Sequence, residues 1–121
     1  MTQINLWKHE RDTLALQPGE VLFREGDQDD VMFAVVEGQV ELSRNGVVIE
    51  DVGPGGIVGE LALIDPAPRS ATARARTEAR VARVDKKVFT FLVQEHPTFA
   101  LQVMAVMADR LRHANEARAT G

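Results

Sequence analysis

The sequence predicts a mainly β fold, an antiparallel jelly-roll barrel with a short N-terminal helix and two C-terminal helices. Three observations favour it. Short apolar segments closed by turn residues recur from residue 13 to residue 85. Asn45 and Gly46, the strongest hairpin signal of the chain, separate two of these segments. After Asp85 the spacing of apolar residues becomes helical.

We therefore expect a single domain over residues 1–121, which is long enough for one core. It divides into a helix or ordered tail (1–12), a β-barrel (13–85) and C-terminal helices (86–117). The N-terminal helix is predicted from weak amphipathic character around Ile4, Leu6 and Trp7.

The strands are delimited by turn residues. Segment 31–36 is almost continuously apolar, which is typical of a strand buried on both faces. The Ala and Arg content of segment 71–84 favours a helix on propensity alone, but Thr77 and Glu78 divide it into two strands. About eight strands are expected. The sequence delimits those at 13–16, 20–24, 31–36, 40–43, 47–50, 72–76 and 80–85.

Two helices are expected after the strands. Asp85 is a favourable N-cap for a helix over 86–95, and His96 and Pro97 end that helix. Thr98 then caps a longer helix, which runs to about Glu116.

The longer helix carries two apolar stripes. One is expected to pack on the barrel and comprises Phe99, Val103 and Val106. The other has the spacing of a coiled-coil seam and predicts a homodimer contact. In the alternative interpretation, both stripes form one wide core-facing band. The seam stripe comprises Leu101, Met104, Ala108, Leu111 and Asn115.

Composition argues against several classes of protein. The chain has no cysteine, so disulfides and thiolate metal sites are excluded. Its three histidines are widely separated, and no metal site is expected. The formal net charge of −4 opposes nucleic-acid binding. Neither a signal peptide nor a membrane-spanning run is apparent, so we expect a cytoplasmic protein without membrane contact.

Segment 59–72 has the features of a binding site for a small anion that carries hydroxyl groups. Gly59 allows close approach of the backbone to a ligand. One helical turn at 61–64 would direct free N–H groups at an anion. Arg69 offers a fork of donors to phosphate oxygens, and an ionised Glu60 accepts from a sugar hydroxyl. The alternative is a surface loop in which these two side chains form an ordinary salt bridge.

This segment resembles the phosphate-binding cassette of the cyclic nucleotide-binding domain family. The family pattern is Gly-Glu-(Leu/Ile)-(Ala/Gly)-Leu, a short spacer and Arg-(Ser/Thr/Ala)-Ala, and every position is met here. The resemblance covers roughly residues 14–111 and also implies strands over segment 71–84. It implies that Glu60 holds the ribose 2′-hydroxyl and Arg69 the cyclic phosphate. Backbone N–H groups near Leu61, Ala62 and Ser70 complete the anion site. The implied ligand-binding residues are Val58, Gly59, Glu60, Leu61, Ala62, Arg69, Ser70, Ala71 and Asn115.

The resemblance implies a regulatory module rather than an enzyme, with cyclic AMP favoured over cyclic GMP as its ligand and no other cofactor. Asn115 is the candidate adenine contact, whereas Ser70 can bond either the phosphate or a guanine edge and so does not decide between the bases. We expect occupancy to pass through the C-terminal helices to an effector protein of unknown identity. The chain is either a free-standing sensor or part of a longer protein.

Two alternatives come from other functional classes. One is a ligandless relative that serves as a dimerisation or docking domain, against which an intact Glu60 and Arg69 pair argues. The other is a cupin-like barrel enzyme, which would need clustered metal-binding histidines.

Overall fold

The computed structural model describes residues 3–65 and 67–120, with side chains as far as residue 116. Pro66, which belongs to the predicted cassette segment 59–72, therefore lies outside the described residues. The elements are β1 (Leu14–Leu16), β2 (Val21–Phe23), β3 (Met32–Glu37), β4 (Val40–Arg44), β5 (Val47–Val52), β6 (Ile57–Val58), α1 (Leu61–Ile64), β7 (Thr72–Ala75), β8 (Ala79–Val84), α2 (Lys86–Glu95) and α3 (Thr98–Thr120).

The strands form two antiparallel four-stranded sheets, in the orders β1-β8-β3-β6 and β2-β7-β4-β5. The predicted mainly β, jelly-roll-like architecture with C-terminal helices is confirmed, but the barrel is not closed. Each sheet keeps its own two edge strands in the described part of the chain. The inner faces pack on each other instead, through one apolar cluster drawn from both sheets. The fold is therefore a β-sandwich.

Strand β3 separates two hydrophobic cores. Phe33 and Val35 point into the core between the sheets. Met32 and Ala34 point to the opposite face, into a core closed by α3 and the N-terminal segment. Since successive side chains of a strand alternate between faces, both faces of β3 are covered. This confirms the buried strand predicted from the continuous apolar run.

The N-terminal segment differs from the short helix that was one of its two expected forms. Over the described residues it consists of turns, in which the N–H of Lys8 donates to the carbonyl of Asn5 at 3.2 Å. The segment is held by its side chains, because Ile4 and Trp7 are buried in the second core. Because isolated helices of this length are marginal in water, the packing of Ile4 and Trp7 determines the conformation of the segment.

Local signals correctly predict the hairpin and the last strand pair. Asn45 and Gly46 have positive φ of 53° and 80° and connect β4 to β5. Segment 71–84 forms β7 and β8 despite its helical propensity, because alternate residues such as Ala73 and Val81 fill the core between the sheets. Strand β6 was not predicted, since two residues carry no readable periodicity.

The two C-terminal helices begin where the sequence predicts. The carboxylate of Asp85 caps α2 by accepting from the N–H of Val88 at 2.8 Å. On α3, the stripe of Phe99, Val103 and Val106 is buried. The predicted seam stripe is exposed, with Leu101 66% accessible. The two stripes are therefore separate faces, and the interpretation of one wide core-facing band is wrong.

Among the described residues, no helix is both long and apolar enough to cross a membrane.

Replacing Phe99 by alanine should destabilise the domain strongly. Phe99 is fully buried in the second core, with its ring centroid 5.5 Å from that of Trp7 and 5.3 Å from that of Phe89. Truncating a buried Phe costs about 3–5 kcal/mol of unfolding free energy. Urea denaturation measures the loss. Phe91→Ala on α2, where the ring is 58% exposed, is the matched control and should change stability little. Equal losses in the two variants would contradict this description of the second core.

Candidate functional site

A cavity of about 650 Å³ lies at one end of the sandwich, between the cassette, the β4–β5 hairpin and α3. Its size is that of a small-molecule site. From α3 it is lined by Met107, Arg110, Leu111, His113 and Ala114. The sequence-predicted residues that line it are Gly59, Glu60, Leu61, Ala62, Arg69, Ser70 and Ala71.

Two predicted site residues lie elsewhere. Val58 is fully buried in the core between the sheets and is not among the residues that line the cavity. Asn115 is exposed on α3 and is also absent from the lining. Seven of the nine predicted residues therefore line one cavity, whereas the adenine contact assigned to α3 has no support from the position of Asn115.

Gly59 sets the geometry of the cassette. Its φ of +76° is in the region that favours glycine. A Cβ at this position would collide with Nη1 of Arg69 and would lie 3.2 Å from the ring of Phe23. Helix α1 begins two residues later, and the N–H of Ala62 donates to the carbonyl of Gly59 at 3.2 Å. The backbone donor of Ala62, predicted to face the anion, thus has an acceptor within the protein.

Glu60 is buried, with 4% of its surface accessible. Burial raises the pKa of its carboxyl above the ordinary value, and the guanidinium of Arg110 opposes that rise. Nη1 of Arg110 donates to Oε1 of Glu60. The carboxylate is therefore paired inside the cavity, with a cation from α3.

Arg110 also binds the sheet. Its Nε and Nη2 donate to the two carboxylate oxygens of Glu50 at 2.9 and 3.0 Å. Nη2 donates in addition to the carbonyl of Ile57 at 2.7 Å. Burial lowers the pKa of Arg110, but the contacts with Glu50 and Glu60 outweigh burial and raise it.

Arg69 is buried to 6% exposure beneath the cassette. Its Nη1 donates to the carbonyl of Gly59 at 3.1 Å, and its Nη2 donates to the carbonyl of Val31 at 2.7 Å. The guanidinium carbon lies 4.1 Å from the centroid of the Phe23 ring, and Asp29 lies 3.6 Å away from Nη2. Burial lowers the pKa of Arg69, and Asp29 opposes the shift.

One donor of Arg69 has no acceptor within the protein. Among the described residues, its Nε is the buried side-chain nitrogen or oxygen without a hydrogen-bond partner. Leaving a buried donor unpaired is unfavourable, and Arg69 also lines the cavity, so an acceptor bound there would meet a guanidinium whose hydrogen bonding is incomplete. An anionic oxygen is a suitable acceptor, because charge-assisted hydrogen bonds are the stronger kind.

The alternative of a surface loop with an ordinary salt bridge is wrong. Glu60 and Arg69 are both buried and each has its own partners, from different parts of the fold. The cavity thus presents a carboxylate on one side and a guanidinium on another, within a largely apolar wall.

Sequence reasoning missed Arg110 and Glu50. A signal for Arg110 was present, because it continues the buried stripe of Phe99, Val103 and Val106 by one further helical step. A charged residue in a core-facing stripe requires a buried partner. Nothing in the sequence pattern marked Glu50, which follows three exposed apolar residues on β5.

Comparison with known proteins agrees with this geometry. A family model described as "Cyclic nucleotide-binding domain" matches residues 13–96. The chain is 30% identical over 113 residues to the CRP-like cAMP-activated global transcriptional regulator of Mycobacterium tuberculosis, a match that covers 85% of this chain and 50% of the regulator. The chain thus spans about half the length of that relative.

Two solved structures share the fold. The catabolite activator protein of Thermus thermophilus superposes with a TM-score of 0.79 at 27% identity, covering 90% of this chain and 54% of that one. A structure described as Sp-2Cl-cAMPS bound to PKAR CBD2 has a TM-score of 0.76 at 27% identity, covering 88% of this chain and 70% of that one.

Gly59→Ala should displace Arg69 as well as strain the backbone. A left-handed conformation costs a non-glycine residue about 1–2 kcal/mol, and the collision with Nη1 of Arg69 adds to that. Gly46→Ala is the matched control, since Gly46 has a φ of +80° and nothing within 4 Å of its would-be Cβ. Thermal or urea unfolding should show a larger loss for Gly59→Ala. Equal losses would mean that no side chain crowds Gly59.

Proposed function

The chain belongs to the cyclic nucleotide-binding domain family, and we propose that it binds cyclic AMP in the cavity beside the cassette as a regulatory module. The single observation that carries the proposal is that the buried guanidinium of Arg69, whose Nε has no partner among the described residues, lines the same cavity as the buried carboxylate of Glu60. A cyclic nucleotide supplies an anion for the first and a hydroxyl donor for the second.

The polarity of the cavity supports one orientation of the ligand. The cyclic phosphate is assigned to Arg69, whose guanidinium is fixed by two carbonyls and the Phe23 ring. The ribose 2′-hydroxyl is assigned to Glu60, since a carboxylate paired with Arg110 can still accept hydrogen bonds from further donors. The reverse orientation would place phosphate against a carboxylate, which like charges disfavour.

The base is assigned to the α3 side of the cavity. Met107, Leu111 and Ala114 offer an apolar surface there to the face of a purine, with Ser70 on the cassette side. Adenine is favoured because the named relatives refer to cAMP and to a cAMP analogue. His113 is the polar α3 side chain besides Arg110 in this lining, so it is a better candidate base contact than Asn115, which lies outside the lining.

The proposed output passes through α3. That helix lines the cavity on one face and exposes Leu101 and Met104 on another, while Leu111 is exposed at the cavity itself. Binding of the ligand therefore acts on a helix whose other face is available to a second copy of the chain or to an effector protein. The proposal assigns no catalytic step to this chain.

Arg69→Ala should weaken cyclic AMP binding by about 10–100-fold, because a charge-assisted hydrogen bond contributes about 1.5–3 kcal/mol. Isothermal titration calorimetry measures the change. Arg83→Ala is the matched control, since the Arg83 side chain is 61% exposed and pairs with Asp85 outside the cavity. Unchanged affinity in Arg69→Ala would contradict the phosphate assignment. A wild-type protein that binds neither cyclic AMP nor cyclic GMP would instead favour the ligandless docking domain.

Glu60→Ala should reduce discrimination between cyclic AMP and its 2′-deoxy analogue. The wild type should bind the natural ligand more tightly, because only that ligand donates a 2′-hydroxyl to the buried carboxylate. Competition titrations give the affinity ratio of the two ligands in each variant. The ratio is insensitive to a general loss of stability, which affects both ligands alike. An undiminished ratio in Glu60→Ala would show that another group recognises the ribose.

A further inference from the structure

We propose that Arg44 is a specificity-determining residue of the cavity, where its two terminal nitrogens contact the edge of the base and favour a 6-oxo purine such as guanine over adenine. The placement of a base there rests on the proposed function. Arg44 lies outside the sequence motif of the cassette. It is the last residue of β4, directly before the turn at Asn45 and Gly46.

The cavity wall contains the guanidinium of Arg44 in addition to those of Arg69 and Arg110. Nε of Arg44 donates to the carbonyl of Ser70 at 3.0 Å, which joins the side chain to the cassette. No hydrogen bond or ion pair joins its Nη1 or Nη2 to another of the described residues. Because the guanidinium is planar, the contact of Nε restricts the direction in which these two donors point. Arg44 thus offers a pair of donors to a ligand in the cavity.

The main chain beside Arg44 is held against the cassette. The N–H of Asn45 donates to a carboxylate oxygen of Glu25 at 2.8 Å, and the N–H of Glu25 donates to the hydroxyl of Thr72 at 3.0 Å. Ser43 is the register partner of Thr72 in the pairing of β4 with β7. Since Thr72 ends the cassette segment, these contacts fix the position of Arg44 relative to the cassette.

The sheet separates Arg44 from the proposed phosphate site. The guanidinium of Arg69 lies over the ring of Phe23 on β2, whereas Arg44 belongs to β4, two strands away in the order β2-β7-β4-β5. Neighbouring strands are about 4.8 Å apart, so the two backbones are separated by about 10 Å across the sheet. A nucleotide whose phosphate binds Arg69 is therefore expected to reach Arg44 with its base.

Apolar side chains on two sides of the cavity suit a flat base. Leu42 and Ile49 line the cavity from β4 and β5, and Met107 and Leu111 line it from α3. A purine between these side chains buries both faces against apolar surface, which leaves its edge for polar contacts. Arg44 is the charged side chain that β4 contributes to the lining, so it is assigned to that edge.

The donor pair of Arg44 distinguishes two classes of purine. Guanine presents two adjacent acceptors, O6 and N7, and both can accept from an arginine fork. Adenine presents N7 beside its 6-amino group, which is itself a donor, so one of the two contacts is lost. Arg44 therefore adds more to the binding of cyclic GMP than to that of cyclic AMP. The proposed contacts of Arg69 and Glu60 are with phosphate and ribose and do not depend on the base.

The test is calorimetric titration of the full chain with cyclic AMP, cyclic GMP and cyclic IMP, which has O6 and N7 but lacks the 2-amino group of guanine. Arg44→Ala removes the fork. Its matched control is Arg74→Ala, because Nε of Arg74 also donates to a backbone carbonyl, that of Gly19 at 3.2 Å, and Arg74 does not line the cavity. Arg44→Lys keeps the charge without the planar fork, and serves if Arg44→Ala does not fold.

We expect Arg44→Ala to lose at least about fivefold in affinity for cyclic GMP and for cyclic IMP, which is the lower end of the discrimination that a bidentate base contact provides. Its affinity for cyclic AMP should change much less. Arg44→Lys should be intermediate for the two 6-oxo ligands. Arg74→Ala should bind all three ligands as the wild type does.

The outcomes separate this proposal from the proposed function. Equal losses for all three ligands in Arg44→Ala would show that Arg44 binds the phosphate or supports the cassette, which overturns its role at the base and leaves the proposed function intact. A wild type that binds cyclic AMP but neither 6-oxo ligand would overturn the role at the base in the same way. A wild type that binds no cyclic nucleotide would contradict the proposed function itself, and this proposal with it.

Discussion

The burial of a carboxylate and a guanidinium in one apolar cavity is the constraint on which the rest of the structure depends. Taking either charge out of water costs several kcal/mol unless partners replace the lost hydration. Glu60 is paired with Arg110. Arg69 is compensated by two backbone carbonyls, the Phe23 ring and the carboxylate of Asp29 at 3.6 Å. The compensation of Arg69 is incomplete, since its Nε has no partner among the described residues. The proposed function assigns the ligand anion to this guanidinium.

This constraint explains why the helices belong to the binding site. The cation that compensates Glu60 comes from α3, so the carboxylate is stable inside the cavity only while that helix is docked. Docking depends in turn on the second core, where Phe99 packs against Trp7 of the N-terminal segment. The two ends of the described chain therefore stabilise the charge of Glu60 in the cassette, although both are far from Glu60 in sequence.

Local information was sufficient for most of the fold. The hairpin at Asn45 and the cap at Asp85 depend on neighbours a few positions away, and both were predicted correctly. The motif around Gly59 is also local, and most of its residues line one cavity. The openness of the barrel and the pairing of Arg110 depend on groups brought together by folding. Arg110 meets Glu60 across 50 residues and Glu50 across 60, and a single sequence carries no distance signal over such separations.

The face of α3 that lines the cavity could not be predicted from the position of residues along the helix alone. Asn115 was assigned to the ligand because the family resemblance places this stretch of the final helix over the base, yet it belongs to the predicted seam stripe and is exposed. The cavity face follows instead from the buried stripe, because each helical step of three or four residues returns to the same side. Continuing from Val106 in such steps leads to Arg110 and then to His113 and Ala114, which line the cavity. The contribution of the helix to the site is thus determined by its packing on the sandwich.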